Sequence, residues 1–531
     1  MRESLPGLLV AVPLAGAALV PLIGALFRRG ARETALVLHA GVFAIALALF
    51  ALVQDGAPIA YAMGGWPGPW GIELRLDGLS ALMALLTAGM ACFAAPLDLS
   101  GRRSGAAGGR TSPFGDSLLR GVLLLLLAGL LGIVATRDLF NLFVFMEISS
   151  LAAYTLIAAG GGKATIAAFR YLLAGTAAGS LYLFGVGFLY ALTGTLNMDD
   201  LPVQLAAAAP GAALATGVTL IAIGLSIKAA LFPLHGWLPD VYVFAPTATT
   251  GFIAAVMAKV SAYALLRLLG ETLFGVEAGA FVLDVLLWLG IGGVLVGGAL
   301  AIAQTDVARM LAWSSISAMG TILIAVAVGS ELAVTAALFH VVAHALAKGC
   351  FFFAAGALAG GLGLSRVQSW AGLASRLPGT AVAVTVAAFS LIGLPPVAGF
   401  FSKYLLLAAT WNAGGAAGAA AFAALIASSL LAAVYLFRVL EAVWFRSPAQ
   451  GSLLAEAPRT GPERLRLPRP LVFAVGALAA LTLAGGLFAA AVERRLPRWP
   501  LPEPVGAASD LSRLDSARQE GAGTPGRRVL R

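Results

Sequence analysis

Ala212-Ala-Leu-Ala-Thr-Gly-Val-Thr-Leu-Ile-Ala-Ile-Gly-Leu-Ser-Ile-Lys228-Ala-Ala-Leu-Phe-Pro233-Leu-His235-Gly-Trp-Leu-Pro239 is the stretch whose reading decides the fold. Its first part is an apolar run of about twenty residues, the length of a transmembrane helix. One lysine interrupts the run. Pro233 and Pro239 then remove backbone donors and break the helix. Backbone groups freed at membrane depth are tolerated only against protein or a wet cavity. A span that carries both a cation and a break has a purpose beyond anchoring.

The rest of the chain repeats the apolar theme. Of 531 residues, 60% are hydrophobic and 11% charged, against about a quarter charged in a soluble domain. So few charges cannot cover a water-facing surface of this size. The runs are not alternating ten-residue segments, which excludes a β-barrel. The net charge of +9 does not point to nucleic acid, because the basic residues lie in short loops, where they orient membrane helices. Cys92 and Cys350 sit in apolar runs and form no metal or redox motif. There is no phosphate-binding glycine loop, no nucleophile triad and no CxxC pair. Met1 to Phe27 lacks a basic start and a small-residue cleavage site and reads as the first span rather than a signal peptide.

The reading is an all-α polytopic membrane protein of about 14 spans: 5–27, 34–54, 78–97, 118–136, 139–159, 165–193, 212–232, 247–270, 280–303, 307–329, 332–360, 380–410, 418–445 and 470–491. The 98–117 loop is rich in Gly, Ser and Arg, and the last 38 or so residues are polar and Pro/Gly-rich, a composition that packs no core. Seventeen loop cations, Arg32, Arg120, Arg309 and Arg469 among them, fall on one side; Arg2, Arg75, Arg137 and Arg267 fall on the other. The richer side is expected in the cytoplasm. An even span count then puts both termini outside. Gly393-Leu-Pro-Pro-Val-Ala-Gly399 breaks span twelve as Leu231–Pro239 breaks span seven. Five spans separate the breaks, an odd offset that reverses direction across the bilayer, as an inverted repeat requires. Two unrelated kinks are the plainer alternative.

Four of the five lysines, Lys228, Lys259, Lys348 and Lys403, lie inside spans, while arginine fills the loops. Guanidinium keeps its proton at any attainable pH, whereas a buried amine can lose one. Each mid-membrane lysine costs roughly 3 kcal/mol on an insertion scale, so four of them need compensation and a reason. Glu147, in Leu139-Phe-Asn-Leu-Phe-Val-Phe-Met-Glu-Ile-Ser-Ser150, is the comparable acid, and Lys228 is its expected partner. A fixed structural pair is one reading; a pair that opens and closes, moving a proton as it switches, is the other. His340, His344 and Lys348 share a helix face at i, i+4 and i+8, suited to a proton relay or to hydrogen bonding with a neighbouring helix. No Asp, Glu or Cys joins them at metal-ligand spacing. His235 lies in the span-seven break with Trp237 and Asp240, either gating an entry path or capping the broken helix. His39 reads as a boundary residue, and Arg438 as a helix-end residue that snorkels.

Arg137-Asp-Leu-Phe-Asn-Leu-Phe-Val-Phe-Met-Glu147, Lys228-Ala-Ala-Leu-Phe-Pro-Leu-His-Gly-Trp-Leu-Pro-Asp240, Ala245-Pro-Thr, Met257-Ala-Lys-Val260, His340-Val-Val-Ala-His-Ala-Leu-Ala-Lys348 and Gly393-Leu-Pro-Pro-Val-Ala-Gly-Phe-Phe-Ser-Lys403 together resemble the antiporter-like subunits shared by complex I and Mrp-type cation/proton antiporters. The resemblance covers about residues 70–445. It implies fourteen helices with two inverted five-helix repeats (helices 4–8 and 9–13) and broken helices 7 and 12. The chain then divides into an N-terminal three-helix segment and loop (1–117), a first repeat (118–270), a second repeat (280–445), a loop and last helix (446–491) and a polar tail (492–531). It implies that Glu147 and Lys228 are the ion pair, Lys259 the central lysine, His340, His344 and Lys348 the second-half relay, and Lys403 the terminal proton-exchange residue. Lysine at 403 and the sequence around Lys259 look most like the D-type subunit of Mrp antiporters. Phe244 departs from the pattern, standing where many relatives carry an acid. The expected role is proton translocation, with sodium as a candidate second ion, in the inner membrane of a bacterial or archaeal cell, alongside other membrane subunits. The rival is a non-redox pump subunit of an NADH:quinone oxidoreductase or membrane hydrogenase-like complex. In either machine this chain itself binds no redox cofactor and no metal.

Overall fold

The computed structural model describes residues 2–27, 30–54, 56–100, 112–207, 211–273, 277–450, 453–456 and 465–496. Most of the glycine-rich 98–117 loop and nearly all of the polar tail lie outside these. The chain begins with α1 (Leu5–Leu26) and α2 (Ala31–Leu52), then a two-stranded hairpin, β1 (Ile59–Ala62) and β2 (Glu73–Leu76). There follow α3 (Gly78–Ala94), α4 (Pro113–Ala135), α5 (Leu139–Ala158), α6 (Lys163–Thr193), α7 (Leu201–Ala207), α8 (Ala212–Lys228), α9 (Leu238–Phe244) and α10 (Thr247–Arg267). Next come α11 (Glu277–Ile302), α12 (Val307–Val328), α13 (Glu331–Leu362), α14 (Leu373–Arg376), α15 (Pro378–Ile392), α16 (Ala398–Ala413) and α17 (Gly415–Trp444). The short α18 (Leu453–Glu456), α19 (Arg469–Leu487) and α20 (Ala489–Arg495) close the described chain.

The protein is a mostly helical, polytopic membrane protein. Among the described residues, 11 helices are long and apolar enough to cross a membrane. Three shorter apolar helices, α3, α8 and α15, stand where the sequence predicted full spans, for local reasons. α3 stops before Pro96. α8 stops at Lys228, after which Ala230 takes a left-handed φ of 52° and Pro233 offers no donor. α15 stops at Gly393, whose φ of 90° only glycine adopts freely. The hairpin corrects the all-α expectation: Ile59 pairs with Leu76 and Ala62 with Glu73, in a segment too short and mixed to be read as strand.

α10 runs through the centre, with every residue from Ala248 to Arg267 buried. Its small residues permit close approach; a Cβ on Gly251 would run into the Phe353 ring of α13. Outer helices keep apolar side chains exposed, such as Val37, Phe184 and Leu430, where lipid belongs.

The two loop sets also separate in space. Arg137 and Arg267 both donate to Asp77, the N-cap of α3. Burial alone would favour protonation of Asp77, but Arg267 and Arg137 outweigh it and hold the carboxyl well below its usual range. This cluster therefore adds stability above about pH 4, the ordinary carboxylate pKa, and loses it as acid protonates Asp77. At the opposite loops Asp240 bridges Arg170 of α6 at 2.7 Å and Arg309 of α12 at 3.0 Å. The Phe244 ring lies 5.6 Å from Lys163 Nζ and 5.9 Å from the Arg309 guanidinium, so an aromatic face meets two cations there.

Two single-residue expectations change. His39 is not at a boundary: it is 2% exposed in α2, its Nδ1 2.7 Å from the Ala35 carbonyl. Arg438 does not reach for solvent but donates to the Ile302 and Gln304 carbonyls at the C-terminal end of α11, where a cation complements the helix dipole.

Candidate functional site

The first cluster forms where α5, α6 and α8 meet. Asp138 caps α5 through the Asn141 backbone N–H, which fixes the helix start and sets Glu147 two and a half turns in. Lys228, the last residue of α8, donates to Glu147 Oε1 at 3.0 Å and to Ser150 Oγ at 2.7 Å. It is 3% exposed. Space for the pair comes from α6: a Cβ on Gly179 would lie 2.5 Å from Glu147 Oε1. Beside it, the Tyr154 ring meets Tyr171 edge-on at 4.7 Å, and Tyr171 stacks on Trp237 at 3.9 Å. Trp237 in turn donates to the Ile227 carbonyl at 2.9 Å. The aromatic column thus braces the break against the residue preceding Lys228.

Lys259 lies on α10, 1% exposed, and donates to the Ala254 carbonyl of its own helix. Lys348 on α13 is fully buried and donates to the Leu311 carbonyl at 2.7 Å and to Ser314 Oγ, both on α12. One and two turns before it, His344 and His340 stack at 5.7 Å between ring centroids. His340 Nδ1 lies 3.1 Å from Ser402 Oγ. Lys403 on α16 reaches back across the second break, donating to the Ile392 carbonyl and to Ser429 Oγ, each at 3.0 Å.

His340, His344 and Lys403 line one small cavity of about 20 Å³ together with Ser314, the hydroxyl that accepts from Lys348. Ser317, Thr321, Ser390, Ser428 and Tyr435 add polar atoms to the wall. Such a lining around this volume suits about one ordered water. The structure therefore brings together Glu147 with Lys228, and the two histidines with Lys403 and the Lys348 acceptor. His235 stands apart: it packs on Phe232 at 5.7 Å and edge-on to Trp313 of α12 at 5.3 Å. α9 carries no side-chain cap, so capping is not what this imidazole does, and Asp240 is engaged by the arginines instead. Ser150, Gly179, Ser314, Ser402 and Ser429 escaped the sequence reading. Ser150 and Ser402 had a detectable signal, as each lies within the quoted motifs; nothing distinguishes Ser314 or Ser429 from other serines in apolar runs.

Residues 136–429 match the family described as NADH:quinone oxidoreductase/Mrp antiporter, TM. The chain belongs to that family. It is 43% identical over 523 residues to the N-type subunit of the NADH-quinone oxidoreductase of Desulforudis audaxviator, covering 94% of this chain and 100% of that one. It is 32% identical over 375 residues to the D-type subunit of the Na(+)/H(+) antiporter of Bacillus subtilis, covering 70% and 73%. Among solved structures it resembles a chain of the membrane-bound sulfane sulfur reductase, an archaeal respiratory membrane complex, with a TM-score of 0.82, 30% identity and coverage of 92% and 96%. It also resembles a chain of the Mrp complex from Dietzia sp. DQ12-45-1b, with a TM-score of 0.80, 27% identity and coverage of 93% and 96%. The chain is an antiporter-like, multi-pass membrane subunit of the kind that assembles with other membrane subunits in Mrp or complex I.

Proposed function

We propose that the chain carries protons across the membrane along Glu147, Lys228, Lys259, Lys348, His344, His340 and Lys403. The observation that carries this reading is the cavity on which His340, His344 and Lys403 converge beside Ser314. It joins titratable groups from α13 and α16 to the hydroxyl that binds Lys348. Imidazole takes and gives a proton at either nitrogen, and amines relay protons where guanidinium cannot. His235, aromatic-packed at the first break, gates entry to the first half. In the full arrangement there are fourteen spans, with α3, α8 with α9, and α15 with α16 completing those that length alone leaves short. Residues 118–270 and 280–445 are inverted repeats, helices 4–8 and 9–13, flanked by 1–117, 446–491 and the 492–531 tail. The matched breaks, each opened by a left-handed residue (Ala230, Gly393), support this pairing. Both termini lie outside; labelling of a cysteine placed at 98–117 by an impermeant reagent from outside would reverse that.

The test is proton flux in vesicles containing the complex, read with a pH-sensitive dye. Wild-type flux in Lys228→Ala or Lys403→Ala removes the assignment. The machine has two readings. Lys403 and the Lys259 motif favour an Mrp-type monovalent cation/proton antiporter, as does the Bacillus subtilis relative. The 43% identity along nearly the whole chain to a subunit of an NADH-quinone oxidoreductase favours a redox-driven pump, and that longer match tips the choice. Flavin or iron–sulfur subunits co-purifying with the chain support the redox complex; small antiporter subunits in their place overturn it.

A further inference from the structure

We propose that the groove between α3 and α19 is a binding site for one anionic phospholipid. α3 and α19 converge over α13, where Met90 and Leu478 both approach Gly349. Towards the arginine-rich loops an open groove of about 360 Å³ is walled by Cys92, Phe93, Pro96, Phe473 and Ala474, with Arg469 also in its lining. The Phe93 and Phe473 rings pack against each other in its wall, tilted, with centroids 6.4 Å apart. Phe473 is 70% exposed, so the slot opens laterally, where an acyl chain enters.

Charge decides the headgroup. Arg469 is the first residue of α19 and Arg32 the second of α2, so both guanidinia stand at positive helix ends. Arg32 donates to the Pro96 carbonyl at 3.3 Å, which brings a second cation to a wall residue of the groove. Arg120, by contrast, is neutralised by Asp116 at 2.7 Å. Among the described residues neither Arg32 nor Arg469 pairs with a carboxylate. Two guanidinia with no described carboxylate partner, one in the lining of an apolar slot and one on its wall residue Pro96, fit a phosphodiester, which accepts from arginine in a bidentate fork, with its chain on the aromatic walls. Basic pockets between spans on the cytoplasmic side recognise anionic headgroups in this way. A zwitterionic lipid would bring an ammonium group against the same cations.

The complex purified in neutral detergent is titrated with phosphatidylglycerol and, separately, phosphatidylcholine, and bound lipid is counted by native mass spectrometry. Arg469→Gln, which breaks no described hydrogen bond, is expected to weaken one phosphatidylglycerol site about 10-fold. Arg32→Gln with Arg469→Gln is expected to abolish that site, with phosphatidylcholine binding unchanged. Equal phosphatidylglycerol retention in wild type and both variants overturns the proposal. Displacement of the lipid by millimolar inorganic phosphate overturns it in favour of a free-anion site. Cross-linking of Cys92 to another subunit in native membranes overturns it in favour of a protein occupant.

Discussion

The two halves of the bundle hold their lysines differently. In the first, a carboxylate answers Lys228, which lies 3.0 Å from Glu147 Oε1 with Ser150 as a second acceptor, while Lys259 on the central α10 has the Ala254 carbonyl. In the second, only neutral acceptors do so: Leu311 O and Ser314 for Lys348, Ile392 O and Ser429 for Lys403. Carbonyls and hydroxyls satisfy ammonium hydrogens but cancel no charge. That half has instead two histidines and a small cavity of about 20 Å³ with several hydroxyls in its wall. The difference teaches a division of labour. On the proposed path, the first half stores its charge as a neutral pair, which must be pulled apart to release a proton. On the same path, the second half has a small cavity, with room for about one water, beside amines that no described carboxylate neutralises.

The largest expected effect tests whether both halves are needed. Lys228→Ala and Lys403→Ala are each expected to abolish proton flux while partner subunits still co-purify. Flux at the wild-type level in one of them would confine transport to the other half and end the comparison. Arginine substitutions are expected to act next most strongly, because guanidinium keeps the charge but not the ability to lose a proton. Lys228→Arg should retain the pair with Glu147, hence near-wild-type thermal stability, yet lose about 100-fold in flux, on the scale of a missing acid–base group. Lys403→Arg should lose a similar amount of flux. If it transports normally, the second-half lysine acts only as fixed charge.

How much of this was legible follows from what each feature leaves in one dimension. Lysines in apolar runs are conspicuous because hydrocarbon penalises them, so Lys228, Lys259, Lys348 and Lys403 could be picked out from their positions within those runs. The breaks at Pro233 and Pro395–Pro396 were legible because proline acts locally. The Glu147–Lys228 pair was legible because few other acids compete for a membrane lysine. The hairpin at Ile59–Leu76 was not, since its pairing depends on a turn with no strong alternation around it. Nor were Ser314 and Ser429, which matter only through neighbours far away in sequence. His39 misled because its position near a span start says nothing about which face it presents.

Glycine substitutions sharpen the contrast at intermediate size. Gly179→Ala places a methyl 2.5 Å from Glu147 Oε1, the mobile end of a side chain, so the carboxylate moves and the pair loosens. Flux should fall about 10-fold with little change in melting temperature. Gly393→Ala meets Lys403 Cδ at 2.7 Å and must hold a φ of 90°, adding strain of about 1–3 kcal/mol. Here flux and thermal stability should fall together. Equal stability in the two variants would mean that the second break yields as easily as a side chain.

The finest test compares the two serines. Ser150→Ala leaves Lys228 with Glu147, a charged acceptor; Ser314→Ala leaves Lys348 with the Leu311 carbonyl alone. A hydrogen bond to a charged group contributes about 1.5–3 kcal/mol. Little of that is lost where a carboxylate remains, and most of it where the loss is uncompensated. Ser150→Ala should therefore lower flux no more than about 2-fold, and Ser314→Ala about 10-fold or more. Ser314 also faces the cavity, so its removal takes away the one protein hydroxyl common to the Lys348 site and the His344–Lys403 space. Threonine at 314 restores a hydroxyl at the cost of one methyl group. Recovery of flux in Ser314→Thr would tie the loss to the missing acceptor rather than to packing. An equal loss from Ser150→Ala and Ser314→Ala would show that Glu147 does not compensate, and that the two halves hold their lysines with the same strength.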